Sequence, residues 1–138
     1  MRVLALDYGS ARCGCALSDP SATIVTPIEA IQRPASKRGL AQLRTLVREH
    51  DVERVVVGLP LSLSGADTEQ TRETREFARV LAGQLGEGIP VELYDERFTT
   101  RMAQRFGGEG GGRAGARASE DSRAAAHLLE GWLAAKAR

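Results

Sequence analysis

Aromatic side chains are scarce in this sequence: three Phe, two Tyr and one Trp make up 4% of the chain. A core of stacked rings is excluded, so aliphatic residues, within a hydrophobic fraction of 42%, must do the packing. Cysteine is equally rare. Cys13 and Cys15 are the two thiols, separated by a single residue. On a strand they share one face, where neighbours form no ordinary disulfide, and the spacing is not that of a zinc site. Both read as buried thiols. Long hydrophobic runs are lacking too, and none approaches the roughly 20 residues of a membrane-crossing helix. The opening "MRVLALDYG" enters a strand pattern without a signal-peptide cleavage site. We therefore expect a cytoplasmic location and no membrane partner. Nor is there an excess of either charge: 19 Lys and Arg against 18 Asp and Glu leave a formal +1. Global charge thus gives no sign of a nucleic-acid binder.

What is present is a chain of 138 residues, the size of one ordinary domain, and we read residues 1–138 as such. Residues 2–7 form an apolar run that ends in Asp7. "RCGCALSD" (12–19) reads as its hairpin partner across the turn "YGSA". "ATIVTPIEAIQR" (22–33) is a third extended stretch, and Pro27 within it suits an edge strand. After Pro34, Leu40, Leu43, Leu46 and Val47 mark one face of a helix, with Ser36 as N-cap. "ERVVVGLPLSLSG" gives a short apolar strand at 54–58, of the kind covered on both faces of a parallel sheet. A second amphipathic helix over 67–86 carries Phe77, Val80, Leu81 and Leu85. "IPVELYDE" (89–96) is another strand, and "TTRMAQRF" begins a short helix. The glycine-rich residues 107–118 read as a mobile loop inside the domain, and "SEDSRAAAHLLEGWLAAKAR" as a closing helix. Three antiparallel strands followed by alternating helices and strands imply an α/β fold with a mixed sheet and helices on its faces.

Acidic residues stand at the ends of these elements. Asp7 closes the first strand, Asp95 and Glu96 the last, and Asp121 opens the final helix. Open sheets of this kind build their sites outside the carboxyl ends of strands. Each acid also has an ordinary explanation: Asp7 as a turn former before Gly9, the Asp95–Glu96 pair as a solvated strand end with Arg97 as ion partner, Asp121 as a complement to the helix dipole. For Asp121 the pattern favours function. It heads the stripe of Ala125, Leu128 and Trp132, which mark the inward helical face, while Glu120, Arg123, His127 and Glu130 mark the outward one. Periodicity does not choose between Asp95 and Glu96: the first is in phase with Val91 and Leu93, the second with Glu92 and Tyr94.

If these acids converge, they repel. Two unit charges 4 Å apart cost about 4 kcal/mol at an effective dielectric of 20. Divalent cations remove that cost. Carboxylates are the usual protein ligands of Mg²⁺, and Mn²⁺ favours similar oxygen donors. Two such ions can serve phosphodiester hydrolysis. His50 and His127 are not needed and read as surface residues. A local excess of arginine, with Arg97, Arg101, Arg105, Arg113, Arg117 and Arg123 in one stretch, is compatible with phosphate contacts and equally with base composition, since arginine far outnumbers lysine along the whole chain.

The segments "LALDYGSARCGCALSD", "VVVGLPLSLSG", "YDERFTT" and "EDSRAAAHLL" together resemble the YqgF family, also called RuvX, nearly end to end. Its members are small bacterial proteins with a ribonuclease H-like fold, described as Holliday junction resolvases and as nucleases that mature the 5′ end of pre-16S ribosomal RNA. The resemblance implies a five-stranded mixed sheet and a three-acid site on Asp7, Glu96 and Asp121, binding Mg²⁺ or Mn²⁺, two ions with substrate. It implies backbone approach to the site at Gly9 and Gly58, and nucleic acid held by basic residues, for which Arg97, Arg101, Arg113, Arg117 and Arg123 are candidates. The expected partners are pre-16S rRNA or branched DNA, and symmetric junction cutting calls for a homodimer. Cys13 and Cys15 replace the usual aliphatic residues, and Ser62 a frequent asparagine.

Two other classes compete with a metal-dependent endonuclease. A non-catalytic nucleic-acid or ribosome-binding protein would bind without the acids. A nucleotide-binding protein of the actin and sugar-kinase type is similar at "DYGSARCG", but places its nucleotide between two lobes, and this chain supplies one.

Overall fold

The computed structural model describes residues 1–99 and 122–137. Five strands form one sheet: β1 (Val3–Asp7), β2 (Arg12–Ser18), β3 (Val25–Gln32), β4 (Arg54–Leu59) and β5 (Val91–Asp95), in the order β3-β2-β1-β4-β5. The β1–β2 and β2–β3 pairings are antiparallel, the β1–β4 and β4–β5 pairings parallel. Pro27 lies on edge strand β3, where its missing N–H costs no ladder bond on the open side.

Strand alternation divides the core into two layers. Leu4 and Leu6 of β1, with Val55 and Val57 of β4, face helices α1 (Lys37–Glu49) and α2 (Glu69–Leu85). Val3, Ala5, Ala16 and Val56 face the last helix, α3 (Arg123–Lys136). Each aliphatic side chain fully buried this way contributes about 1.5–3 kcal/mol, which is why the central strands are apolar throughout. Cys13 and Cys15 are buried free thiols in the α1–α2 layer, as expected.

The helices start where local chemistry directs. Ser36 caps α1 by accepting from the Gly39 N–H at 3.0 Å, and Leu40, Leu43 and Val47 are buried beneath it. Thr68 caps α2 in a reciprocal box with Thr71, whose hydroxyl also donates to the Pro60 carbonyl. Phe77 and Leu81 are buried, Val80 and Leu85 partly so. In α3, Ala125, Leu128 and Trp132 face the sheet as the stripe foretells.

His127 departs from expectation. It is 6% exposed, not a surface residue, because α3 is buried over more than one stripe, with Ala126, Leu129 and Gly131 buried as well. Burial and the nearby Arg123 hold its imidazole below the usual pKa. His50 is half-buried at the C-cap of α1. The short helix expected from residue 99 and the glycine-rich loop at 107–118 lie outside the described residues, apart from a 3₁₀ turn over Glu96–Thr99. Among the described residues, no helix is long and apolar enough to cross a membrane.

Candidate active site

Asp7 continues the series Val3 and Ala5, so the pleat turns it to the α3 side of the sheet. On β5 the same side carries Glu92, which accepts from the Trp132 Nε1 at 3.1 Å, and Tyr94, which packs on that core layer. Glu96 follows in the 3₁₀ turn. Between these strands runs β4, with Gly58 in phase with Val56. A β-carbon on Gly58 would lie 2.7 Å from the Glu96 Oε1 and 2.9 Å from its Cγ. Glycine there is what lets the Glu96 side chain cross β4 and hydrogen-bond Asp7.

Two carboxyl groups in that contact cannot both be charged without cost. Burial raises the Asp7 pKa, and the bond from Glu96 draws it partly back. Glu96 is pushed up to about 7, chiefly by burial and then by the charge of Asp7. The pair therefore holds a shared proton up to near-neutral pH. Asp95, the adjacent residue, behaves oppositely. Its carboxylate accepts from the Arg97 Nη2 at 2.6 Å, from Nε at 3.0 Å and from the Arg97 backbone N–H at 2.9 Å. These bonds hold its pKa below the usual range. Arg97 also donates from Nη1 to the Leu63 carbonyl at 3.1 Å. The alternative that phase left open is thus decided: Glu96 meets Asp7, and Asp95 meets Arg97.

Asp121 lies outside the described residues, as do Arg101, Arg105, Arg113 and Arg117. Its covalent neighbour, Ser122, is fully buried. The β2–β3 register shifts between Cys13 and Cys15, where two steps on β2 answer three on β3. Ser122 bridges that bulge: its Oγ accepts from the Cys15 N–H at 2.9 Å and donates to the Ile28 carbonyl at 2.5 Å. Cys15 adjoins Gly14, the residue paired with Asp7. Sequence reasoning missed Ser122, because a serine at a helix start reads as a cap, and here its side chain makes no cap bond. Arg123 is exposed in the first turn of α3. Gly9 has its own steric reason: a β-carbon there would stand 2.8 Å from the Arg12 carbonyl oxygen across the hairpin turn.

The described residues bring two carboxylates together, and among them no set of three or more His, Cys, Asp or Glu is grouped. Hard oxygen donors that share a proton suit a hard divalent cation, which can take that proton's place.

Sheet order, pairing pattern and the placement of helices define a ribonuclease H-like α/β protein. Solved structures share this fold. Thermus thermophilus RuvC superimposes with a TM-score of 0.61 at 15% identity, over 99% of this chain and 97% of that one. Fowlpox virus resolvase, solved with Holliday junction DNA, gives 0.61 at 9% identity over 100% of both chains. The sequence is more specific. A family model described as "RuvX: Holliday junction resolvase" matches residues 1–135, and the chain belongs to that family. Relatives bearing the name "Putative pre-16S rRNA nuclease" include one from Corynebacterium jeikeium, 38% identical over 99% of this chain and 88% of its own. Another, from Myxococcus xanthus, is 40% identical over 96% of this chain and 87% of its own.

Proposed function

We propose that the protein is a divalent-metal-dependent endonuclease of structured nucleic acid, with Asp7, Glu96 and Asp121 as catalytic and metal-holding residues. The observation that carries this reading is the half-buried Asp7–Glu96 carboxyl pair at the strand ends, bridged over Gly58. Asp121 joins it on two supports: chain connectivity to Ser122, which is held beside the strand that pairs with Asp7, and the family resemblance. Mg²⁺ or Mn²⁺, two ions with substrate, would supply charge neutralisation at the phosphate and activation of water. The chain's own part is to present Asp7 from the end of β1 and Glu96 from the 3₁₀ turn, and to release their shared proton near neutral pH, freeing both carboxylates as ligands. Water then attacks the phosphorus in line as the P–O3′ bond breaks, and the water's proton balance is closed by protonation of the leaving oxygen, giving a 5′-phosphate and a 3′-hydroxyl.

Arg97, Arg101, Arg113, Arg117 and Arg123 seat the backbone, with a phosphate at Arg97 competing with Asp95 for the guanidinium. The names of the relatives support pre-16S rRNA as substrate, and the family description supports branched DNA, for which two active sites in a homodimer would be needed. Either substrate fits a cytoplasmic protein. The test is cleavage of precursor rRNA and of a four-way DNA junction with Mg²⁺ or Mn²⁺, beside the Asp7→Asn protein. Wild-type cutting that requires the metal and is lost in Asp7→Asn supports the reading. Binding without cutting, unchanged by loss of the acids, points to a non-catalytic binder instead.

A further inference from the structure

Phe98 is 65% exposed, although it belongs to the 3₁₀ turn that carries Glu96 two residues earlier. The ring is not adrift. It meets Tyr94 edge to face, with centroids 5.8 Å apart and planes at 68°, and Tyr94 packs on the core layer under α3. Asp7 and Glu96 face that same side. An apolar ring is thus supported from beneath and presented to solvent two residues from Glu96, where the described ionisable groups of the site are carboxyls. Phosphate and sugar offer little to such a ring. The flat faces of the bases match it, by stacking.

We propose that Phe98 stacks on an unpaired nucleobase next to the cleaved phosphodiester, an assignment that rests on the nuclease reading above. Bases inside a continuous duplex have both faces covered, so the preferred substrate carries a single-stranded stretch, an end or a branch point at the cut. Leu63, 96% exposed in the loop whose carbonyl Arg97 holds, is a second exposed apolar side chain among the described residues. It lacks a π face, and the stacking role falls to Phe98.

The experiment uses the full chain in the Asp7→Asn background, so that substrate is bound and not cut. Single-stranded RNA and DNA carrying a fluorescent aminopurine base, and the matching duplexes, are titrated against the parent protein and its Phe98→Ala, Phe98→Leu and Phe98→Trp variants. We expect Phe98→Ala and Phe98→Leu to weaken single-strand binding by about tenfold or more and to lose the stacking quench. Phe98→Trp should retain both, and duplex binding should not change. The stronger of the RNA and DNA arms identifies the natural source of the base. Single-strand binding that Phe98→Leu or Phe98→Ala leaves intact overturns the assignment while the nuclease reading stands. A parent protein that binds no nucleic acid removes both. Unfolding midpoints of the variants show whether any loss reflects folding, and the Leu and Trp proteins, which keep the bulk, still separate ring from mass.

Discussion

At the end of β5 two consecutive carboxylates meet different surroundings on the two sides of the sheet. Asp95, in phase with the residues that pack toward α1 and α2, lies against a guanidinium and is held ionised. Glu96, on the α3 side, is desolvated beside Asp7 and holds a proton up to about pH 7. The first has its counter-charge built into the chain. The second shares a proton with a neighbouring carboxyl group, and a cation from outside can take that proton's place. The first contact joins opposite charges, whereas the second joins groups of like charge, and on that second contact the proposed metal site rests.

The largest effect should come from removing one partner of that pair. Asp7→Asn should lower metal-dependent cleavage by roughly a thousandfold or more, since charge stabilisation worth several kcal/mol is lost. Its unfolding midpoint should stay near the wild-type value, because the amide can still hydrogen-bond Glu96. Unfolding in place of inactivity would make Asp7 merely structural. Gly58→Ala tests the bridge itself. The new methyl would displace Glu96 from its path to Asp7, and a shift of about 1 Å at a catalytic group can cost about a hundredfold in rate. Single-turnover cleavage should fall that far while the fold persists.

Ser122→Ala acts on stability first. It leaves the buried Cys15 N–H and Ile28 carbonyl without their present partner, a loss of about 1–3 kcal/mol readable by urea denaturation. The smallest effect is the pH dependence that separates the two acids in metal-free protein. The folded-state pKa of Glu96 is raised, so its contribution is full below the ordinary 4.5 and is lost as pH rises through about 7. Asp95 has a lowered pKa, so its contribution is present above the ordinary 3.8 and is lost as pH falls below it. Urea midpoints for wild type and Glu96→Gln between pH 5 and 8 should therefore converge at the alkaline end if wild type alone loses stability. Parallel curves would remove the contrast.

Much of this arrangement was legible in the order of residues. The aliphatic run before Asp7, the stripe of Ala125, Leu128 and Trp132, and the cap at Ser36 are short-range features, written into spacing and local hydrogen-bond chemistry. The choice between Asp95 and Glu96 was not legible from phase, because the chain leaves its strand at Asp95 and turns into a 3₁₀ helix, where the two-residue period no longer applies. The burial of His127 escaped the helical pattern as well. The buried face of α3 takes in Ala126, Leu129 and Gly131 beyond the stripe, and its width is set by what packs around the helix.

The sequence alone determined the described strands and long helices, the two-layer core and the placing of Asp7, Asp95 and Glu96 at strand ends, because alternation and helical period act over a few residues. Only tertiary structure decided which acids meet and what holds the last helix in place. The Asp7–Glu96 contact needs two non-consecutive strands with a glycine between them. The Ser122 bridge joins residues 107 and 94 positions apart through a register shift in the sheet. Such contacts exist only once the chain has folded back on itself.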